Sequence, residues 1–349
     1  MPLSVVIPTH NQAQDLQRHL PAILDQDYDD FEVIVVDMAS TDETKDVLEH
    51  LELLYPNLRH SHTPATARDI SLERLALTLG IRTARYEWVV ITHPNCRPLT
   101  SQWLHTLSTQ MKDGKDIIVG VAKYDEERQT WFDYKVGFFR LWHTLANLDH
   151  IREGHPAVRA DGCNLAVRKS LFLNKDAFSN HLNLLTGAEE LLVNHLSNSH
   201  NTAVVTTKDA MVIEDHLPSK RLWKKQRVFY METRRHQQNA SLYRAKQNLR
   251  LLFPWLVFIT LCALWPVLAC FYPQEEIAIS LITGLVALMI MVLTGVWIRN
   301  CNRAAYAIGY EHRYVLTRLL FTLALPLWNF SAWLTYLFSP KTEFCKKFV

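Results

Sequence analysis

Residues 4–11 read SVVIPTHN, and residues 33–44 read VIVVDMASTDET. Each stretch is a short apolar, β-branched run that ends in polar residues, which is the pattern of a buried strand followed by a loop. Between the two stretches, apolar residues recur at near-helical spacing at Leu16, Leu20, Ile23 and Leu24. The opening of the chain therefore predicts a strand, a helix and a second strand.

The same alternation continues after the second predicted strand. Residues 40–43, Ser-Thr-Asp-Glu, are typical of a helix cap, and Trp88 to Ile91 supplies a further buried-type strand. Alternating strands and helices predict an α/β domain with a doubly wound, mostly parallel sheet, in which ligands bind beyond the carboxyl ends of the strands. The predicted strands end in the polar segments 8–11, 37–40 and 92–95. These segments define a candidate site.

Composition narrows the class of protein. The 349 residues carry a formal net charge of +2, which predicts no general attraction to nucleic acid. The six cysteines include no CxxC pair and no zinc-type spacing, so we expect reduced thiols, without structural zinc or disulfides. No dinucleotide or P-loop fingerprint occurs.

The N-terminus lacks the basic and apolar regions of a secretory signal, so we expect a cytosolic N-terminal domain.

Long apolar stretches are concentrated toward the C-terminal end. The stretches 251–272, 277–298 and 319–338 contain no Asp, Glu, Lys, Arg or His. Each reaches the roughly 20 residues that a helix needs to cross a bilayer. A segment rich in Lys and Arg precedes them and suits the cytosolic face of an anionic membrane. We therefore predict a globular domain over 1–218, a basic juxtamembrane segment over 219–250, a membrane region over 251–338 and a tail over 339–349.

The charges around these stretches predict a multi-pass topology. Arginines between the second and third stretches indicate a cytosolic loop, and residues 273–276 form a short turn on the opposite side. If the third stretch spans the membrane, the lysines of the tail lie on the wrong side for the positive-inside rule. Because Pro326 and Asn329 lie in its middle, the alternative is a re-entrant or interfacial segment.

The two opening stretches together resemble the start of the family 2 glycosyltransferases, which have the GT-A fold. The resemblance implies that the donor nucleoside is bound by four residues, Pro8, Thr9, Asn11 and Asp37. A carboxylate at a strand end accepts hydrogen bonds from a base or ribose hydroxyl. Taken singly, Asn11 also fits a turn and Asp37 a helix cap. The similarity continues through residues 71–81, which add Arg74 as a donor-binding candidate, and covers roughly residues 3–236.

The end of the third predicted strand departs from the family pattern. The family has Asp-x-Asp there, which binds a divalent cation that bridges the donor diphosphate, whereas this chain has His93, Pro94 and Asn95. Mg²⁺ prefers anionic oxygen ligands and Mn²⁺ tolerates imidazole better, so a divalent cation is expected to be Mn²⁺ rather than Mg²⁺. Three hypotheses stay open: the metal is held differently, basic residues stabilise the diphosphate, or donor turnover has been lost.

Two further segments resemble the acceptor side of the family. Residues 161–169 match a Gly-rich turn that enters a helix, and residues 187–192, GAEELL, match the acidic motif that carries the catalytic base. An inverting transferase needs a carboxylate to take the proton of the acceptor hydroxyl. The position favours Glu189 over Glu190, because helical neighbours about 100° apart are not expected to face one site. The alternative is a solvated acidic helix start.

A basic element of the family, Gln-x-x-Arg followed by Trp or His, corresponds to residues 232–236 of this chain. The match implies that Arg235 pairs with the donor diphosphate and that His236 stacks or hydrogen-bonds nearby. Gln226-Arg227 is a competing register, and contact with lipid headgroups is the alternative function of the segment. The aromatic residues within 131–142 fit either an interfacial helix that guides a membrane acceptor or core packing.

These matches imply an inverting glycosyl transfer, as in polysaccharide biosynthesis, at the cytosolic face of the cell membrane. The expected partners are a nucleotide-sugar, by resemblance a UDP-sugar, a saccharide or lipid-linked acceptor, and membrane lipids. The rival interpretation is a catalytically degenerate GT-A domain that acts as a membrane scaffold or partner of active transferases, which His93 and Asn95 motivate. A nucleotide-dependent lipid-modifying enzyme without sugar transfer is a further alternative, but it has no motif of its own.

Overall fold

The computed structural model describes residues 1–64, 70–125, 130–175, 177–178, 181–271, 276–310 and 315–345. Contacts divide these residues into two units. The first unit contains the residues up to 239 together with those from 332 onward, and the second contains residues 240–331.

The strands of the first unit are short apart from the first two. They are β1 (Leu3–Thr9), β2 (Phe31–Asp37), β3 (Leu58–His62), β4 (Trp88–Ile91), β5 (Cys96–Pro98), β6 (Ile117–Val119), β7 (Ala122–Tyr124), β8 (Leu165–Arg168), β9 (Thr202–Val204) and β10 (Val212–Glu214). The helices between and after them are α1 (Ala13–Leu24), α2 (Thr44–Leu54), α3 (Leu72–Thr83), α4 (Trp103–Ser108), α5 (Trp131–Arg152), α6 (Lys169–Asn174), α7 (Ala188–Leu196) and α8 (Lys220–His236).

The main sheet has seven strands in the order β3-β2-β1-β4-β8-β6-β9. β1 pairs in parallel with β2 and β4, which confirms the predicted strand-helix-strand alternation. β8 runs antiparallel to both β4 and β6, so the sheet is mixed. The sequence carries no signal of this reversal, because a four-residue apolar strand reads the same in either direction. β5, β10 and β7 form a second, three-stranded sheet.

The central strand β1 is buried along its whole length. Val5 and Ile7 pack into one apolar cluster, which includes Leu16 of α1, whereas Val6 packs into a second cluster, which includes Leu77 of α3. A strand covered by helices on both faces has no polar face, and this explains the unbroken apolar run that opens the sequence. The core therefore lies in two layers, one on each side of the sheet.

Three long helices follow: α9 (Ser241–Phe271), α10 (Glu276–Ala307) and α11 (Val315–Phe338). All three predicted membrane stretches fall largely within them. Within the part of the chain that the structure describes, one stretch, Leu320–Phe338, is long and apolar enough to cross a membrane. All three membrane spans stay predictions, and most of the predicted turn at 273–276 lies outside the described residues.

The end of the chain returns to the first unit. The Phe344 side chain is only 2% exposed, and its ring centroid lies 5.0 Å from that of Phe229 in α8. The backbone N–H of Leu185 donates to the carbonyl oxygen of Phe344 at 3.1 Å. Residues 332–345 therefore help to build the unit that contains the sheet, and they contact the loop that precedes α7.

Candidate active site

A cavity of about 520 Å³ lies in the first unit. Its walls come from the first turn of α3, the loop after β4, helices α5 and α8, residues 159–163 and the start of α7. Charged and aromatic side chains from these separate segments line it. A concave site with convergent polar groups is the default location for binding and catalysis, so we take this cavity as the candidate active site.

Glu189 occupies the wall of the cavity at the start of α7, where one glycine admits the turn into the helix and another leaves room for the side chain. Gly187 precedes the helix with a φ of +73°, and a Cβ there would lie 2.4 Å from the Cγ2 of Thr233. A Cβ on Gly162 would lie 2.7 Å from the Cδ of Glu189. Larger residues at either position would displace the helix start or the carboxylate. The GAEELL and DGC motifs therefore meet around one side chain.

The Glu189 carboxylate is buried and only partly engaged. Glu189 is only 8% exposed, and its Oε1 lies 3.4 Å from the Nε2 of His93. Within the described residues that oxygen accepts no hydrogen bond. A buried carboxylate oxygen without a donor is available to accept a proton or a hydroxyl hydrogen bond from a bound molecule.

Glu190 also lines the cavity, although neighbours on a helix were expected to face different directions. Its Oε1 forms an ion pair with the Nη2 of Arg159 at 2.5 Å, and the Arg159 guanidinium stacks 4.2 Å from the Tyr230 ring centroid. Burial raises the pKa of Glu190, and Arg159 opposes that rise. The two adjacent carboxylates thus differ in their partners rather than in the site that they face.

Glu73, in the first turn of α3, is a further acid of the cavity that the sequence did not single out. Burial raises the pKa of Glu73 to about 7, and the nearby charge of Glu189 adds to the rise. Like charges placed close together favour protonation of one of them. An acidic residue in a first turn is ordinarily explained by the helix dipole, and only the fold shows that this one faces another carboxylate.

Arg140 also lines the cavity and forms two ion pairs there. Its Nη2 lies 2.6 Å from Asp161 Oδ2, and its Nη1 lies 2.6 Å from Glu214 Oε2. Although burial raises the pKa of Asp161, Arg140 and hydrogen bonds from Cys163 hold that pKa below its usual value. A buried charge that is paired on both sides acts as a structural tie. Arg140 therefore fixes the segment that carries Gly162 beneath Glu189.

The predicted nucleoside-binding loops follow β1 and β2, and hydrogen bonds join them. The Oδ1 of Asn11 accepts from the backbone N–H of Thr41 at 2.7 Å. The Asp37 carboxylate accepts from the backbone N–H of Ser40 at 3.1 Å and from its hydroxyl at 2.5 Å. Asn11 and Ala39 have φ values of +51° and +57°. Backbone strain of this kind clusters at ligand-binding loops.

Pro8 and Thr9 form the end of β1, where both are buried. The Oγ1 of Thr9 is buried and has no hydrogen-bond partner within the described residues. Because β1 and β4 are parallel, these residues share one edge of the sheet with His93, which follows β4 and lines the cavity. The candidate nucleoside site and the cavity therefore lie at the same edge.

The side chains at the end of β4 do not form the carboxylate pair that holds Mg²⁺. Asn95 donates from its Nδ2 to Glu214 Oε1 at 3.1 Å, and His93 faces Glu189. In the described part of the chain, the group of three His, Cys, Asp or Glu side chains close enough to share an ion lies elsewhere. One imidazole and one engaged amide do not fit a cation that requires anionic oxygens.

Arg74 is fully buried, and its guanidinium bonds to backbone rather than to the cavity. It donates to the carbonyl oxygens of Leu184 and, at 2.8 Å, Thr186. These residues directly precede Gly187. Arg74 therefore ties α3 to the loop from which α7 and Glu189 begin.

The predicted diphosphate-binding residues lie at the end of α8. Arg235 donates from its Nη1 to the Tyr336 hydroxyl at 2.9 Å and lies 3.7 Å from Glu232. His236 contacts the same carboxylate at 3.2 Å. The residues of α8 that line the cavity are instead earlier in the helix, from Trp223 to Thr233.

Gln226 and Arg227, the competing register, are among those lining residues. The Arg227 guanidinium lies close to two aromatic rings, 4.9 Å from the Phe139 centroid and 4.8 Å from the Trp223 centroid. Burial lowers the pKa of Arg227 to about 10, so the group stays cationic at neutral pH. The aromatic segment of α5 accordingly packs against α8 and lines the cavity.

Comparison with known proteins identifies the class. Residues 4–172 match the family described as glycosyl transferase family 2. This match confirms the predicted resemblance of residues 4–172 to the family 2 glycosyltransferases, a class of enzymes that transfer sugars.

The individual curated proteins that this chain resembles have low identity or match it over a short segment. Glycosyltransferase AglE of Haloferax volcanii is 28% identical over 185 residues, 52% of this chain and 57% of AglE. The GalNAc(5)-diNAcBac-PP-undecaprenol β-1,3-glucosyltransferase of Campylobacter jejuni is 42% identical over 50 residues, 14% of this chain and 16% of that protein. The chain thus spans less than two thirds of the length of these curated relatives.

A solved structure supports the fold. The mannosyltransferase PcManGT from Pyrobaculum calidifontis, in complex with GDP-Man and Mn²⁺, superimposes with a TM-score of 0.59 at 18% identity, covering 96% of this chain and 87% of that chain. At this identity the likeness shows the GT-A fold alone.

Asp37→Ala is expected to weaken binding of UDP by at least about tenfold, because a carboxylate that accepts hydrogen bonds from a ligand contributes the strongest class of such bonds. Calorimetry with UDP on the full chain in detergent measures the change. Asp29→Ala, which alters an exposed aspartate before β2, is the matched control. Equal affinities for both variants, with unchanged thermal melting, would remove Asp37 from the nucleoside site.

Proposed function

We propose that the protein is an inverting glycosyltransferase that moves a sugar from a nucleotide-sugar to a saccharide or lipid-linked acceptor. The observation that carries this proposal is the buried carboxylate of Glu189 on the wall of the cavity, at the sheet edge that also bears the candidate nucleoside loops. The family match supports sugar transfer as the reaction class.

In this mechanism Glu189 is the general base. The acceptor hydroxyl oxygen attacks the anomeric carbon, and its proton passes to the free Oε1 of Glu189 as the new carbon–oxygen bond forms. The bond between the anomeric carbon and the diphosphate breaks on the opposite face, so the configuration inverts. Gly162 leaves room for the Glu189 side chain and Gly187 admits the turn into α7, so the base is in position before the acceptor binds, which reduces the entropic cost of proton transfer.

The leaving nucleoside diphosphate needs positive charge in the cavity. Arg227 supplies a buried guanidinium, and His93 supplies an imidazole beside Glu189. Arg235 remains a candidate for the diphosphate at a more exposed position. A divalent cation, when bound, would supply Lewis-acid stabilisation of the same charge. Since the residues after β4 do not fit Mg²⁺, we propose that Mn²⁺ is preferred over Mg²⁺.

The donor and acceptor classes rest on the resemblance. The nucleoside loops match the family pattern for a uridine donor, while the solved relative of this fold holds GDP-Man. The Campylobacter jejuni relative is named for an undecaprenol-linked saccharide. We propose a UDP-sugar as donor and a saccharide or lipid-linked saccharide as acceptor.

Membrane association is proposed from the surface of the second unit. Large apolar side chains along α9 and α10, among them Leu256, Ile259, Leu285 and Val292, are each more than half exposed. Apolar surfaces of this extent are rare on monomeric soluble proteins, and burial in lipid would cover them. The basic segment 219–250 favours the cytosolic side, so we propose a multi-pass membrane protein whose sheet-containing unit faces the cytosol.

The rival function is a degenerate GT-A domain that serves as a membrane scaffold or partner of active transferases. The observations that favour it are that residues 92–95, after β4, include no carboxylate for a metal-bridged donor, and that the Asn95 amide is already hydrogen-bonded to Glu214. A turnover screen across nucleotide-sugars separates the two functions.

Glu189→Gln is expected to lower kcat by about 10²–10⁴-fold with little change in donor KM, because the amide keeps the shape but accepts no proton. Initial rates with a turned-over donor measure the change. Glu190→Gln, which removes the negative charge paired with Arg159, is expected to cost less. A larger loss in Glu190→Gln would assign the base to Glu190, and unchanged rates in both variants would exclude both residues as the base.

The dependence of activity on the added metal tests the role of the loop after β4. Activity is expected to be higher with Mn²⁺ than with Mg²⁺, or to need no added metal, because His93 and Asn95 offer one nitrogen and one neutral oxygen. The double variant His93→Asp with Asn95→Asp is expected to strengthen the response to Mg²⁺. A wild-type enzyme that is fully active with Mg²⁺ and insensitive to His93→Ala contradicts the placement of this site.

Protease added to the cytosolic side of sealed vesicles is expected to digest the N-terminal 239 residues, because the unit that they form is proposed to face the cytosol. Immunodetection of an N-terminal epitope follows the digestion, and a marker enclosed on the opposite side reports vesicle integrity. Protection from the cytosolic side, with cleavage only from the other side, would show that the orientation is reversed.

A further inference from the structure

A cluster of metal-ligating side chains lies at the C-terminal end of α5, outside the candidate active site. It consists of His150, Glu153 and His155, whose ligand atoms all lie within 4.8 Å of one another. The two imidazole rings stack with centroids 4.6 Å apart, and His155 Nε2 lies 3.9 Å from Glu153 Oε2. His150 is buried, whereas Glu153 is exposed and His155 half-buried. Water and ions therefore reach the cluster from the side of Glu153 and His155.

The end of the helix brings these residues together. Gly154 has a φ of +84°, and its N–H donates to the carbonyl oxygen of Ile151 at 2.9 Å. The N–H of His155 donates to the carbonyl oxygen of His150 at 3.2 Å. This pair of bonds is the Schellman motif, which places the residue after the glycine against the last turn of the helix. Apolar residues usually occupy the two positions in contact, and here both are histidines.

The chemistry of the cluster suits a cation. Two imidazoles and one carboxylate are a donor set that holds zinc and similar transition metals, with water in the fourth position of a tetrahedral site. The negative end of the α5 dipole also favours positive charge at this point. Hard cations such as Mg²⁺ are disfavoured, because two of the three donors are nitrogen.

We propose that His150, Glu153 and His155 bind one divalent transition-metal ion of the zinc class. The sequence was expected to hold no structural zinc, because its cysteines lack zinc-type spacing. That reasoning covers cysteine-based sites, and it does not cover donors that a helix end brings together. This site is separate from the position of His93 and Asn95, where the family binds a divalent cation, and it takes no part in sugar transfer.

The ion would stabilise the wall of the cavity. Asn147, one turn before His150, donates from its Nδ2 to the carbonyl oxygen of Arg159 at 2.7 Å. Its Oδ1 accepts from the backbone N–H groups of Val158 and Arg159, both at 3.1 Å. The segment that leaves the cluster is therefore bonded back to α5 before it enters the cavity. A metal bound at the turn would link the end of α5 to His155, at the start of the segment that leads to Val158 and Arg159.

The test uses the full chain in detergent, purified without a histidine tag and stripped of metal with a chelator. Zn²⁺ is titrated in competition with a chromophoric chelator, and Co²⁺ absorption reports the coordination number. The expected result is one ion per chain, with affinity lowered by more than about tenfold in His155→Ala and in Glu153→Gln. His50→Ala, which removes an exposed histidine from α2, is the matched control and is expected to bind as the wild type does.

Thermal melting supplies a second readout that does not depend on activity. Zn²⁺ is expected to raise the Tm of the wild type and of His50→Ala but not that of His155→Ala, because a ligand that binds the folded state alone stabilises it. Failure of His150→Ala to fold leaves the test intact, because the other two variants alter more exposed side chains. Absence of stoichiometric binding, or binding that both His155→Ala and Glu153→Gln retain, overturns the proposal.

Discussion

The parallel pairing of β1 with β2 on one side and β4 on the other is the constraint on which the candidate site depends. It places the carboxyl ends of the three strands at one edge of the sheet, with Thr9 opposite Asp37 in the register. Because β1 is buried on both faces, a slip of one residue would exchange its two apolar clusters, so the register is strongly specified. The polar loops after β1, β2 and β4 lie at one edge because apolar packing fixes the register of these strands.

Around that edge the protein gives similar acids different surroundings. Glu190 is paired with Arg159, Asp161 with Arg140, and Glu73 lies close to Glu189 with its pKa raised by burial. Glu189 is left with His93 beside it and one carboxylate oxygen without a donor among the described residues. Separation of acids by environment is how one site provides groups with distinct protonation states. The proposal that Glu189 is the base rests on these partners rather than on residue type.

The loop before α7 is held from two directions that are far apart in sequence. Arg74 of α3 bonds to the carbonyl oxygens of Leu184 and Thr186, while the carbonyl oxygen of Phe344 accepts from Leu185. The position of Glu189 therefore depends on the end of the chain as well as on the sheet. The second unit is joined to the first at both of its ends, since residues on either side of 240–331 belong to the first unit.

Local signals in the sequence determined the α/β class, the opening strands, the family resemblance and the acidic motif, because apolar periodicity and strand-end residues are properties of short segments. Three features could not be predicted from the sequence, because each depends on residues that meet only after packing. They are the antiparallel direction of β8, the approach of Glu73 to Glu189 and which residues of α8 line the cavity. The backbone contacts of Arg74 and the histidine cluster at the end of α5 belong to the same group. The sequence by itself determined which segments carry the chemistry, and the tertiary structure alone decided which side chains face one another, because burial and charge pairing arise between segments distant along the chain.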